Sequence, residues 1–250
     1  VVVAFTLARA AIGRPNPAPG PVFGRPLRRR RRLLARCGAV SALVLGCASA
    51  FAACPPAGTG RDELASLKRA EWKVDDDARR QALAVALLDC LGSPDPVLRD
   101  DLAFDAIAHW ARGRLLALPT LQAMRATLVA RLRPEGRDNQ GFAQPFAALA
   151  LAEVARADRI APFLSSDERA GLVGAATGYV ASVRDYRGYD ANEGWRHGVA
   201  HGADLLLQLS LNPALSREQI DAVLVAVASQ VMPAGHFYIY GEGDRLMAPV

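Results

Sequence analysis

Residues 165–211 read SSDERAGLVGAATGYVASVRDYRGYDANEGWRHGVAHGADLLLQLSL. Apolar residues recur at three- and four-residue spacing on both sides of a polar, tyrosine-bearing centre, which predicts one helix over Ser166–Arg184 and a second over Glu193–Leu211. Ser165-Ser166-Asp167-Glu168 places a hydroxyl N-cap ahead of an acid that can reach back to a free amide, and Ser216-Arg217-Glu218-Gln219 repeats the device downstream. Working outward, the same periodicity predicts helices near Asp62–Lys73, Asp76–Cys90, Pro96–Ala111, Leu118–Leu132, Phe142–Ala157 and Ser216–Val231. Stops fall at Gly92, Gly113, Gly136 and Asn212-Pro213. Alternating β-branched runs are absent and the links are short, so the expected fold is all-α. It is an antiparallel α-hairpin stack, HEAT-like or an α-α superhelix, without a crisp repeat.

The same stretch concentrates the uncommon side chains: two of the four histidines and one of the three tryptophans lie between Arg184 and Asp204. On a helix starting at Glu193, the side chains of Glu193, His197, His201, Asp204 and Gln208 share a stripe within about 40° of His197. Trp195, Val199, Ala203 and Leu206 face the other way, while Gly194, Gly198 and Gly202 leave room for a neighbouring backbone or a ligand. Three readings stand. The stripe is a solvated or interhelical polar face; or it lines a binding or catalytic cleft; or His197 and His201, one turn apart, ligate a divalent transition metal with Glu193 or Asp204 as third ligand or general base. No Glu follows His197, so the metalloprotease motif is absent. His236 and Glu242 are the distant partners available to such a site.

In the loop, Arg187 either clamps an anionic group at a pocket rim or forms local salt bridges, and Gly188 is expected in a positive-φ turn. Near the end, Glu242 and Arg245 either pair with each other or reach the His197–Asp204 segment. Trp72 and Trp110 sit at core spacing and His109 on a helix surface. There is no Gly-x-Ser-x-Gly elbow, Walker loop or Cys-x-x-Cys pair.

Residues 1–52 read as a leader. Arg28–Arg32 and Arg36 precede an apolar Cys37–Ala48 and a small-x-small Ala50-Phe51-Ala52, the order of an export signal over about residues 27–52, with an uncleaved anchor as the alternative. Arg30-Arg31-Arg32-Leu33-Leu34 loosely fits a twin-arginine signal and Val44-Leu45-Gly46-Cys47 a lipoprotein box that would acylate Cys47. The expected location is therefore periplasm or cell envelope, with membrane contact only through the signal or a lipidated Cys47. No Met precedes Met124, and the chain stops within a candidate helix after Arg245-Leu246, which gives the expectation of a truncated C-terminus.

Nine of the 30 basic residues and none of the 25 acidic ones precede Ala53, so residues 53–250 carry 30 − 9 = 21 against 25, a net −4. The basic pI belongs to the leader, and a nucleic-acid-binding reading is excluded on charge. Of four cysteines only Cys54 and Cys90 lie beyond the leader. They permit one disulfide in an oxidising compartment, or Cys90 is a free buried thiol.

Val97-Leu-Arg-Asp-Asp-Leu-Ala-Phe, Gln144-Pro-Phe-Ala-Ala-Leu-Ala-Leu-Ala, Arg184–Tyr189, Gly194-Trp-Arg-His-Gly-Val-Ala-His-Gly-Ala-Asp and Tyr240-Gly-Glu-Gly-Asp-Arg-Leu together resemble the bacterial family DUF2785, from roughly Asp62 onward. The chain departs from it at Gln144-Pro145, where an Arg-Ser pair is usual, and at Arg196, where a small residue is usual. The resemblance implies an all-helical domain and no particular activity. The function expected from the residues is binding or scaffolding in the envelope, with a protein, peptide or small polar ligand held by Arg187, Glu193, Trp195, His197, His201, Asp204, Glu242 and Arg245. The rival is a metal-dependent hydrolase with His197 and His201 as ligands.

Overall fold

A computed structural model describes residues 54–250, so the expected export signal and the expected lipidation site Cys47 lie outside the described residues. Among the described residues nine α-helices follow one another: α1 (Arg61–Arg69), α2 (Asp77–Ala86), α3 (Asp105–Arg112), α4 (Leu118–Arg131), α5 (Ala143–Ile160), α6 (Ser166–Ser182), α7 (Gly198–Ser210), α8 (Arg217–Ala228) and α9 (Glu242–Met247). A 3₁₀ turn (Leu87–Gly92) extends α2, and a π-helical stretch (Val97–Phe104) leads into α3. One small hairpin, β1 (Tyr189–Asp190) with β2 (Gly194–Trp195), interrupts the helices between α6 and α7.

The packing alternates. Helices α2, α4, α6 and α8 lie side by side in one layer, while α3, α5, α7 and α9 form the other. This is the α-α superhelix that the all-α pattern implied. Helix α5 sits in the middle of its layer and is buried nearly all round, including Phe146, Leu151 and Val154, as a helix without a consistently polar face must be. Its Ala147, Ala148 and Ala150 are buried, as are Ala200 and Ala203 of the neighbouring α7, which keeps the side chains of these two packed helices small.

Both anticipated capping boxes form. Ser165 accepts from Glu168 N at 3.2 Å while Glu168 accepts from Ser165 N at 2.9 Å, and Ser216 and Gln219 make the same reciprocal pair. Helix α1 ends at Arg69, short of the expected Lys73, because Glu71 and Trp72 take positive φ values of 54° and 56°. That turn drops Trp72 into the core, where its ring meets Trp110 edge-on at 6.0 Å and its carbonyl accepts from Trp110 Nε1 at 2.9 Å. His109 is exposed.

A buried polar cluster and a disulfide stabilise the frame. Asp158 accepts from Arg169 Nε at 2.9 Å, Asn212 Nδ2 at 3.0 Å and two backbone amides, tying α5 to α6 and to the end of α7. Burial alone would raise the Asp158 pKa, but these donors outweigh it and hold it below the usual carboxylate range. Cys54 and Cys90 form a disulfide with Cα atoms 5.0 Å apart, closing a separation of 36 residues. Among the described residues no helix is long and apolar enough to cross a membrane.

Candidate functional site

The segment that sequence periodicity assigns to the start of a helix is a hairpin instead. Asp190 Oδ1 accepts from the amides of Asn192 at 2.8 Å and Glu193 at 3.0 Å, an Asx-type turn that holds the chain out of helix. Gly194 follows at φ 74°, where Pro96 and Arg99 leave no room for a Cβ. Tyr189 then pairs with Trp195, and the ladder continues through Arg196 N to Gly188 O at 2.9 Å and His197 N to Arg187 O at 3.1 Å. Helix α7 therefore begins at Gly198, five residues later than expected, with His197 as a left-handed N-cap at φ 54°. Glu193 leaves the proposed stripe, Trp195 lies in β2, and His197 precedes the helix that carries His201. Gly188 is not at positive φ; it is needed because the Tyr240 ring packs where a Cβ would stand.

The histidines still meet. His197 is sandwiched against Trp195, with ring centroids 4.3 Å apart and nearly parallel, and lies 5.8 Å from the His201 ring. His201 also meets Phe146 edge-on at 4.9 Å. Burial drives both pKa values down, that of His201 to about 3, so both rings are neutral at pH 7. Glu242 Oε1 approaches His197 Nε2 at 3.5 Å, too far for a good hydrogen bond. That nitrogen and His201 Nδ1 are buried without a partner. Glu242 is 3% exposed, and its other oxygen accepts from Tyr240 N at 2.9 Å.

The remaining expected residues divide. Arg245 pairs with Asp204, joining α9 to α7, although burial raises the Asp204 pKa. Gln208 accepts from Arg159 at 3.2 Å, so the surviving part of the stripe serves interhelical contacts. Arg187 takes its local-salt-bridge reading: its Nε donates to Asp185 Oδ1 at 2.8 Å and its Nη2 to Gln140 O at 3.2 Å. His236 stacks on Tyr186 at 4.8 Å.

Two buried arginines complete the surroundings, and periodicity did not single out either as a site residue. Arg99, fully buried, donates to Ser93 O at 2.8 Å and Glu193 O at 2.7 Å and covers the Phe142 ring at 3.9 Å. Its Nε stands 2.7 Å from Asp100 Oδ1, but the N–H is misaligned and both atoms lack a hydrogen bond. Burial lowers the Arg99 pKa and raises that of Asp100. The readable signal was Arg99 standing three, four and seven residues before apolar Leu102, Ala103 and Ala106. Arg196 donates to Gln140 O at 2.7 Å and Glu193 Oε2 at 2.9 Å and lies over the same Phe142 ring at 4.3 Å.

Two clefts flank this wall. One, about 210 Å³, runs between Arg137–Pro145, the end of α6 and Gly198. The larger, about 480 Å³, opens between the hairpin and the 236–242 segment and is lined by Tyr186, Tyr189, His236 and Tyr240 together with Arg187, Glu193, Arg196 and Glu242. Among the described residues no group of three His, Cys, Asp or Glu side chains is placed to hold one metal ion.

Residues 128–250, which carry the hairpin, α7 and the C-terminal segment, match the family model DUF2785, a protein of unknown function. Over these residues, a little under half of the chain, the protein is similar to the DUF2785 family. The match begins at residue 128, so Arg99, Asp100 and the disulfide lie outside it. No curated protein and no solved structure matches the chain. The DUF2785 span nonetheless contains every residue lining the larger cleft.

Proposed function

We propose that this protein binds a polar ligand in the cleft between the β1–β2 hairpin and residues 236–242, and does so in the cell envelope. The observation that carries the reading is the construction of the cleft. Tyr189 and Tyr240 present half-exposed rings over a floor containing the buried Glu242. The hairpin wall is held from behind by Arg99 and Arg196, so the aromatic groups are fixed before any ligand arrives. The Cys54–Cys90 bond, in a chain whose leader is basic, then apolar, then Ala-x-Ala, supports an oxidising compartment.

The test is a thermal-shift screen of soluble oligosaccharides, short peptides, amino acids and polyamines, run on the protein and on Tyr240→Ala. A ligand that raises the melting temperature of the first and not the second supports the reading. If no compound shifts the protein, it fails.

The metal-hydrolase reading rests on a narrower observation, the unpartnered buried nitrogens of His197 and His201 beside Glu242. It lacks a third ligand in place. Metal analysis by mass spectrometry, beside a His197→Ala, His201→Ala double variant, decides it: stoichiometric zinc lost in a folded variant would put it first.

A further inference from the structure

We infer that the ligand of the hairpin cleft is a neutral carbohydrate, an inference that rests on the binding reading above. Three observations point the same way. First, the cations of the cleft are already occupied. Arg187 is paired side-on with Asp185, and Arg196 is held by Glu193 and the Gln140 carbonyl. A phosphate, sulfate or carboxylate would have to displace an internal carboxylate to gain a bidentate partner. Of the acidic side chains, Glu193 is engaged by Arg196, and Oδ1 of Asp190 caps its own turn.

Second, what remains unoccupied is hydrogen-bond-accepting capacity at one side chain on the border of the cleft. Glu242 is nearly wholly buried, borders the cleft, and has one hydrogen bond, from Tyr240 N. The adjacent His197 Nε2 has none. A buried carboxylate retains acceptor sites for several donors, and vicinal hydroxyls supply such donors without bringing a charge that must itself be desolvated.

Third, the walls are aromatic and rigid. Tyr240 packs on Gly188 and meets Trp195 at 5.7 Å, and Tyr189 meets Trp195 at 5.0 Å. Flat, fixed rings with polar rims suit pyranose rings, whose faces are C–H and whose edges are hydroxyl. A peptide fits less well. It would bring a terminal carboxylate for which no arginine of the cleft is free, and a backbone to pair with a sheet edge, and the hairpin strands are two residues each.

The experiment is calorimetric titration of the full chain with chitotetraose, maltotetraose, cellotetraose and xylotetraose, and with tri-alanine and inorganic phosphate as contrasting probes. At least one tetrasaccharide is expected to bind. Its affinity should change less than about threefold between about 50 and about 500 mM NaCl, because no ion pair forms. Tyr240→Ala and Glu242→Gln should each weaken it by about tenfold or more. Circular dichroism of both variants confirms the fold, and Tyr240→Phe, which keeps the ring, should restore most of the affinity lost in Tyr240→Ala. Binding of tri-alanine or phosphate with no tetrasaccharide bound would overturn the carbohydrate inference and leave the binding reading standing. A steep salt dependence of sugar binding would overturn it as well, and no binding of any probe here or in the thermal-shift screen would remove both.

Discussion

His201 is a base kept from its proton by its surroundings. It lies against Phe146 and His197, with Arg245 and Arg99 adding positive potential, and burial is the largest of these influences. Its pKa in the folded chain is about 3, against 6.5 for an unhindered histidine. The unfolded chain therefore binds the extra proton throughout that window, so stability is fully present above about pH 6.5 and is lost as the pH falls toward 3. The slope from this one group approaches about 1.4 kcal/mol per pH unit. Urea midpoints between pH 4 and 6 should fall less steeply in His201→Gln than in the parent; parallel slopes would show that His201 is solvated. Gly202 gives a second residue-scale expectation. A Cβ there would stand 2.6 Å from Val180 Cγ2 and 3.2 Å from Tyr179, which makes α6 and α7 meet at a glycine. Gly202→Ala should cost about 1–3 kcal/mol of unfolding free energy, measured by the same titration, despite alanine's better helix propensity.

At the scale of elements, the hairpin depends on an arginine from a different part of the chain. Arg99 donates to the Glu193 carbonyl across a sequence separation of 94 and stacks on Phe142, while Asp100 beside it is part-buried. Arg99→Ala would strip the turn of its support and leave Asp100 without its neighbouring cation, at about 3–5 kcal/mol. Arg99→Lys should recover only part of this, since an ammonium cannot bond Ser93 O and Glu193 O in the same fork or lie flat on a ring. Circular dichroism melts of the two variants check the order. The same element shows what the sequence could tell. Helices α4, α5, α6 and α8 were legible because their apolar spacing and, for α6 and α8, their capping boxes agree. Residues 193–197 were not, because a helical wheel accepts Glu193 and Trp195 as readily as a strand does. The deciding interactions, the Asp190 turn and the reach of Arg99, are respectively a local competitor of helix and a long-range contact. Glu242 near His197 was within the sequence's range as a candidate, but its burial depends on how α9 docks on α7.

Over the whole molecule, a superhelix of this kind is stabilised mainly by contacts between neighbouring helices, so its ends are where it opens first. The Cys54–Cys90 bond acts there. It pins the start of the described chain to the buried 3₁₀ turn after α2, next to the point where Trp72 and Trp110 lock α1 against the π-helical stretch and α3. A closed separation of 36 residues is worth about 3–4 kcal/mol in the chain-entropy account. For a domain near 200 residues that corresponds to a melting-point change of about 10 °C. Thermal melts with and without dithiothreitol should therefore differ by about that amount in the parent and not at all in Cys54→Ser, whose melting point should already equal the reduced one. The comparison also bears on compartment. Material made in an oxidising compartment should carry the bond and melt at the higher temperature, whereas material made in a reducing cytosol should melt low until oxidised. Equal melting points for both preparations, with free thiols at Cys54 and Cys90, would remove the structural support for export and leave only the leader sequence to argue for it.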